Sequence, residues 1–139
     1  MIENSKNLPS PGARQAGNFR EQMSERLLEF ATCIIKLEPK LRFTYTGRHI
    51  FGQLFRAGSS SGANYEESVA AESKADFIHK TQVVLKELRE SYYWLRLIKK
   101  AYLLPEDEPD LQLLITENLE LIKIISKSLV TAKQNRNAK

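Results

Sequence analysis

Apolar residues recur every three or four positions over four long stretches of this chain, the spacing that lines them along one face of an α-helix. In the first stretch Met23, Leu27, Phe30, Ala31, Ile34 and Leu37 share a face. Asn18 with Glu21 has the spacing of a capping box at its start, and Pro39 closes it. After a loop over 42–47, the second face is Ile50, Phe51, Leu54, Phe55, Gly58, Gly62, Tyr65 and Val69. The third helix is predicted to start near Ser73, which forms a second box with Asp76, and to run to about Tyr102. Its stripe is Phe77, Val84, Leu85, Leu88, Tyr92, Leu95 and Ile98. Tyr93, Trp94 and Leu97 widen it, so contact with more than one neighbour is expected. The fourth follows the stop at Leu104 and Pro105 and carries Leu111, Leu114, Ile115, Leu121, Ile122, Ile125 and Leu129. Glu106, Asp107, Glu108 and Asp110 complement the positive end of its dipole. No alternation of period two points to a strand, and no internal repeat is present. Short connections between four long helices predict an all-α, antiparallel up-and-down four-helix bundle.

The centre of the second helix is its weak point. Ala57, Gly58, Ser59, Ser60, Ser61, Gly62 and Ala63 have poor helix propensity, each Gly costing ~1 kcal/mol relative to Ala. Amphipathic pattern flanks the run on both sides in matching phase. The expectation is therefore a continuous or gently kinked helix whose small residues admit a close neighbour, with hydroxyls bonding back to carbonyls.

A length of 139 residues, with 42% hydrophobic and 27% charged residues, sets one globular domain with a real core. Residues 1–17 hold Pro9, Pro11, Gly12 and Gly17 among polar side chains and read as a disordered tail. The bundle domain is assigned to 18–133 and a basic C-terminal tail to 134–139. Cys33, the single cysteine, lies in an apolar run and reads as a buried small hydrophobe in a reducing cytoplasm. No signal-peptide pattern follows Met1, and no run approaches the ~18 apolar residues of a membrane span.

Catalytic chemistry finds little support. A di-iron bundle needs two Glu-x-x-His motifs, whereas only His49 and His79 exist, and the nearest match, Asp76 with His79, occurs once. Ser59, Ser60 and Ser61 lack the strand-turn-helix elbow of a nucleophile, and Cys33 has no histidine partner. Gly58 and Gly62 lack the Lys-Ser or Lys-Thr of a phosphate loop. The expectation is a protein that is not an enzyme, with no metal and no cofactor.

Charge is more informative. The formal net charge is +4, and bases concentrate on the third helix and the C-terminal part of the fourth, with no acid after Glu120. The candidate nucleic-acid contacts are Lys74, Lys80, Arg89, Arg96, Lys99, Lys100, Lys123, Lys127, Lys133 and Arg136. Exposed Lys and Arg are usually only solvated, which is the bland alternative for each. Arg56, Asn64 and Glu67 on the second helix, with Lys86, Glu87 and Glu90 on the third, suggest an interhelical salt-bridge network, and Lys86 with Glu90 has i,i+4 spacing. Solvated faces are the competing reading.

Two segments carry a resemblance. Gln53, Leu54, Phe55, Arg56, Ala57, Gly58, Ser60, Gly62, Ala63, Asn64, Tyr65 and Glu67 form the first. Glu72 to Lys80, with Asp76 and Phe77, then Lys86, Glu87, Glu90, Tyr93, Trp94 and Leu95, form the second. Together they resemble the bacterial four-helix-bundle family related to the intervening-sequence proteins of 23S ribosomal RNA genes, over about residues 24–130. Many members carry a Pro and a Glu-Gly pair where this chain has Gly62 and Glu67-Ser68. The resemblance implies a subunit of a ring-like homopentamer without enzymatic activity. The family includes the accessory variability determinant of diversity-generating retroelements, which binds nucleic acid and a reverse transcriptase.

The function expected is a non-enzymatic oligomeric scaffold whose basic surfaces bind RNA or DNA, as accessory to a nucleic-acid-processing partner, a reverse transcriptase if the retroelement branch applies. The alternative is a structural module that self-assembles through its helix faces. A small-molecule or metal-binding bundle is the third and weakest reading.

Overall fold

A computed structural model describes residues 16–137 of the chain. Five helices follow one another: α1 (Ala16–Ile35), the single turn α2 (Glu38–Leu41), α3 (Tyr45–Val69), α4 (Lys74–Lys100) and α5 (Pro109–Asn137). Each begins where local chemistry allows. Thr44 caps α3 by accepting from the Gly47 amide at 2.9 Å, and Ser73 caps α4 by accepting from the Asp76 amide at 3.0 Å. Only glycine fits at 47, because a Cβ there would lie 2.0 Å from the Leu41 carbonyl oxygen.

The four long helices run up and down. Arg56 of α3 meets Glu87 and Glu90 of α4, whereas Glu67, further along α3, meets the earlier Lys80, so the two are antiparallel. The same descending order joins α4 to α5, through Leu88 with Asn118 and Lys99 with Gln112. α1 packs against both α3 and α5, which closes the bundle. Met23, Leu27, Phe30, Ile34, Leu54, Leu88, Leu95, Ile98, Leu114, Leu121 and Ile125 are essentially inaccessible at its centre. Each such side chain contributes roughly 1.5–3 kcal/mol by leaving water.

Buried polar groups pin the register, and among those of the described residues only the Thr81 hydroxyl lacks a hydrogen-bond partner. Arg26 grips Glu117 with two hydrogen bonds, Nε to Oε2 at 2.7 Å and Nη2 to Oε1 at 2.9 Å, locking α1 to α5. Asn118, fully buried, donates to the Leu88 carbonyl at 2.9 Å and lies 3.0 Å from the Ser91 hydroxyl. Cys33 is buried; loss of solvent, aided by nearby Glu29, pushes its thiol up to about 11.

The Gly- and Ser-rich centre of α3 is continuous helix. Ser59 and Ser61 donate to the carbonyls of Phe55 and Gly58, both at 2.7 Å, the back-bonding expected of hydroxyls inside a helix. The crossing with α1 is tightest at Gly58, where a Cβ would come 2.3 Å from Ile34 Cδ1; at Gly62 it would meet Leu27 at an ordinary 3.5 Å.

Several expected boundaries move. α1 starts at Ala16, so Asn18 is inside the helix and not its cap. Pro39 does not close α1, which ends at Ile35; it opens α2, where a proline lacking an amide proton leaves no bond unmade. α3 begins at Tyr45, inside the expected loop, and α4 ends at Lys100, two residues early. α5 runs through Asn137, so the boundary drawn at 133 falls inside a helix. The expected N-terminal tail lies outside the described residues except for Ala16 and Gly17, as do the last two residues of the C-terminal tail. Tyr93 and Phe55 were assigned to buried faces but are 55% and 37% exposed.

Candidate nucleic-acid interface

The two sides of α4 carry opposite electrostatic fates. Its carboxylates Glu87 and Glu90 turn toward α3, where Arg56 reaches both, Glu87 at 2.9 Å. Glu90 also accepts from the Trp94 indole at 3.1 Å. The Arg56 hydrogen bond, then that of Trp94, hold the Glu90 carboxyl below the usual carboxylate range. Of the expected network, Arg56, Glu87 and Glu90 come together, whereas Glu67 pairs with Lys80 and Asn64 bonds within its own helix. Lys86 forms no salt bridge with Glu90 but acts on it at longer range, adding to the lowering of its pKa.

On the solvent side of α4, beside Glu90 and away from Glu87, Gln82, Lys86, Arg89, Tyr93, Arg96 and Lys100 follow one another at alternating intervals of four and three, and every one is exposed. That spacing makes a single outward stripe. From Lys86 to Lys100 it extends about 21 Å at the standard helical rise. Among the described residues, no ion pair involves Lys86, Arg89, Arg96 or Lys100. Glu87 and Glu90 are held by Arg56, so Arg89, Arg96 and Lys100 keep no ion-pair partner among the described residues, while Lys86 retains a longer-range attraction to Glu90.

Of the ten candidate contacts, three, Arg89, Arg96 and Lys100, lie in this stripe. Lys80 is spent on Glu67 at 2.8 Å, which raises its pKa, and Lys99 donates to Gln112 at 3.0 Å. Lys74 is exposed in the first turn of α4. Lys123 and Lys127 are exposed on α5, Lys133 is half-buried, and Arg136 is exposed in its last turn. The ten do not gather into one basic rim. Lys86, placed with the family motif and not with the contacts, belongs in the stripe; its 86, 89, 93, 96, 100 spacing was the signal.

Several of the remaining motif residues make contacts within the bundle. Asn64 donates to the Ser60 carbonyl at 2.9 Å and to its hydroxyl at 3.0 Å. Arg20 stacks over Phe77 at 5.5 Å, Trp94 meets Tyr93 edge-on at 5.2 Å, and Gln53 is half-buried.

At its C-terminal end the stripe runs into an open groove of about 620 Å³ whose lining combines Tyr92, Tyr93 and Tyr102 with the bases Arg96, Lys99 and Lys100 and one carboxylate, Glu106, over Leu97 and Ile115. Arg96 lies over the Tyr92 ring at 5.4 Å, a cation–π contact that holds the guanidinium in place. Tyr92 and Tyr102 are not among the residues expected at a site, and Tyr93 is expected only as part of the family motif. Among the described residues no three His, Cys, Asp or Glu side chains gather to hold a metal, and no helix is long and apolar enough to cross a membrane.

The family model for the 23S rRNA-intervening sequence protein matches residues 21–127. A crystal structure of a protein of unknown function from the S23 ribosomal protein family, from Bacteroides thetaiotaomicron VPI-5482, is similar at a TM-score of 0.70 and 30% identity. The match covers 77% of this chain and 97% of that one. No curated protein matches.

Proposed function

The chain belongs to the 23S rRNA-intervening sequence protein family, and from that premise we propose a non-enzymatic, oligomeric scaffold that binds RNA or DNA through the outer face of α4. It would serve as an accessory to a nucleic-acid-processing partner. The observation that supports this reading is the exposed stripe of Lys86, Arg89, Arg96 and Lys100, none of which forms a salt bridge among the described residues. Phosphates are the complement such a stripe fits, because neutralising them releases counterions.

Fluorescence anisotropy of a labelled oligonucleotide, repeated over a range of salt, tests it. Four phosphate contacts per protomer give a slope of log affinity against log salt of about −3 for a single strand. Replacing Lys86, Arg89, Arg96 and Lys100 together by Gln should flatten that slope. Lys80→Gln, which removes a charge already neutralised by Glu67, should leave it unchanged. No binding by the wild type at low salt, or a quadruple variant with the wild-type slope, overturns the reading.

The oligomeric part, a pentamer by the family resemblance alone, is proposed on a separate observation. Leu28 and Ile35, seven residues apart on one face of α1, are 59% and 51% exposed, the apolar spacing of a helix that faces another copy. This observation also favours the second reading, a module that only self-assembles.

A further inference from the structure

Tyr102 has φ 56°, the one positive φ outside glycine among the described residues. It occupies the residue after the cap of α4, where its amide donates to the Lys99 carbonyl at 3.2 Å and the next amide, Leu103, reaches back to Ile98 at 3.1 Å. This is a Schellman turn, and its left-handed position is usually filled by glycine because a Cβ strains it. A large side chain can offset such strain by packing. Tyr102 does little of that, since it is 71% exposed. A strained backbone that holds an aromatic ring in water is an outlier that points to a use outside the protomer.

The surroundings say which use. Tyr102 and Tyr93 offer exposed rings on the rim of one groove, where the bases Arg96, Lys99 and Lys100 outnumber the single lining carboxylate, Glu106. We infer that this groove takes an unpaired nucleobase of a single-stranded nucleic acid, which stacks on Tyr102 and Tyr93 while Arg96 and Lys100 hold the flanking phosphates. Aromatic rings beside a track of positive charge are how single strands are bound without sequence preference. A duplex keeps its bases stacked inside and would meet only the charges. The inference rests on the nucleic-acid reading above and adds the strandedness of the ligand.

The test uses a labelled oligothymidylate as the single strand and a hairpin duplex of matched charge, each titrated with the full-length protein at one salt concentration. Tyr102→Gly removes the ring at a position where glycine is favoured, so the turn and the fold are kept. It should weaken single-strand binding roughly 5- to 150-fold, the range for one lost stacking contact, without changing the salt slope. Duplex affinity should not move. Tyr93→Ala should act in the same direction. Wild-type protein that binds both probes equally, or Tyr102→Gly that binds the single strand as the wild type does, overturns the inference and leaves the stripe intact. Failure of the wild type to bind either probe removes the nucleic-acid reading itself. An acidic peptide that binds the groove in competition, while oligothymidylate does not, would assign it to a protein partner and overturn the inference too.

Discussion

The α1–α3 crossing can be tested through the glycines of α3, because the structure gives each a different neighbourhood. A Cβ at Gly58 would sit 2.3 Å from Ile34 Cδ1 and 3.6 Å from Phe30 Cε2, both on fully buried residues. At Gly62 the nearest atom is Leu27 Cβ at 3.5 Å, and at Gly52 nothing lies within 4 Å. All three are interior to the helix, where Gly→Ala gains about 0.4–1 kcal/mol if the new methyl fits. Gly52→Ala and Gly62→Ala should therefore both stabilise the protein by that amount. Gly58→Ala sets the same gain against overpacking of about 1–3 kcal/mol, for a net loss of ~1 kcal/mol. Ile34→Val deletes the Cδ1 that the new methyl would strike and alone costs about 0.5–1.5 kcal/mol. In the Gly58→Ala background the same deletion relieves the overlap, so the double variant should lose at least ~1 kcal/mol less than the two single losses combined. Urea denaturation followed by circular dichroism measures each value, provided the slope stays constant. An additive cycle, or a Gly58→Ala protein as stable as Gly62→Ala, would refute this packing of α1 on α3.

Two further outcomes follow from named contacts. Glu90 has its folded pKa depressed by Arg56 and Trp94, so its contribution to stability is present above the ordinary carboxylate value of 4.5 and is lost as pH falls through the lower folded value. Glu90→Gln should shallow the decline of the urea midpoint between about pH 6 and about pH 3, and an unchanged decline would show that the pairing adds nothing. Replacing Leu28 and Ile35 by Gln should lower the particle mass measured by light scattering while circular dichroism holds; an unchanged oligomer would remove α1 as the contact surface.

Much of the fold was legible because its signal is local. Met23, Leu27, Phe30 and Ile34 repeat at three and four, and all are buried. The glycines of α3 could be read as helix because Leu54 and Tyr65, on either side, keep one phase, and both are buried as well. The ion pair of Arg26 with Glu117 and the Asn118 bond to Leu88 could not be read this way. Each joins residues distant in sequence, and nothing in their neighbours marks them as buried. Tyr93 was misplaced for a related reason: an aromatic beside a stripe looks like a wider buried face, but α4 turns it outward next to Arg89 and Arg96.

The site was hard to see because sequence counts charges without pairing them. Lys80 and Lys86 are both lysines on one helix, six residues apart, yet Lys80 ends against Glu67 and Lys86 ends in water. The distinction comes from α3, which supplies Arg56 to hold Glu87 and Glu90 and Glu67 to hold Lys80. A net charge of +4 spread evenly would produce a weak field. Gathering four bases along the outward face of α4, with Glu87 and Glu90 held by Arg56, concentrates that field on a strip about 21 Å long. The same α3–α4 contacts that set the helix register thus decide which charges a ligand meets, so a change at Arg56 should act on both stability and binding.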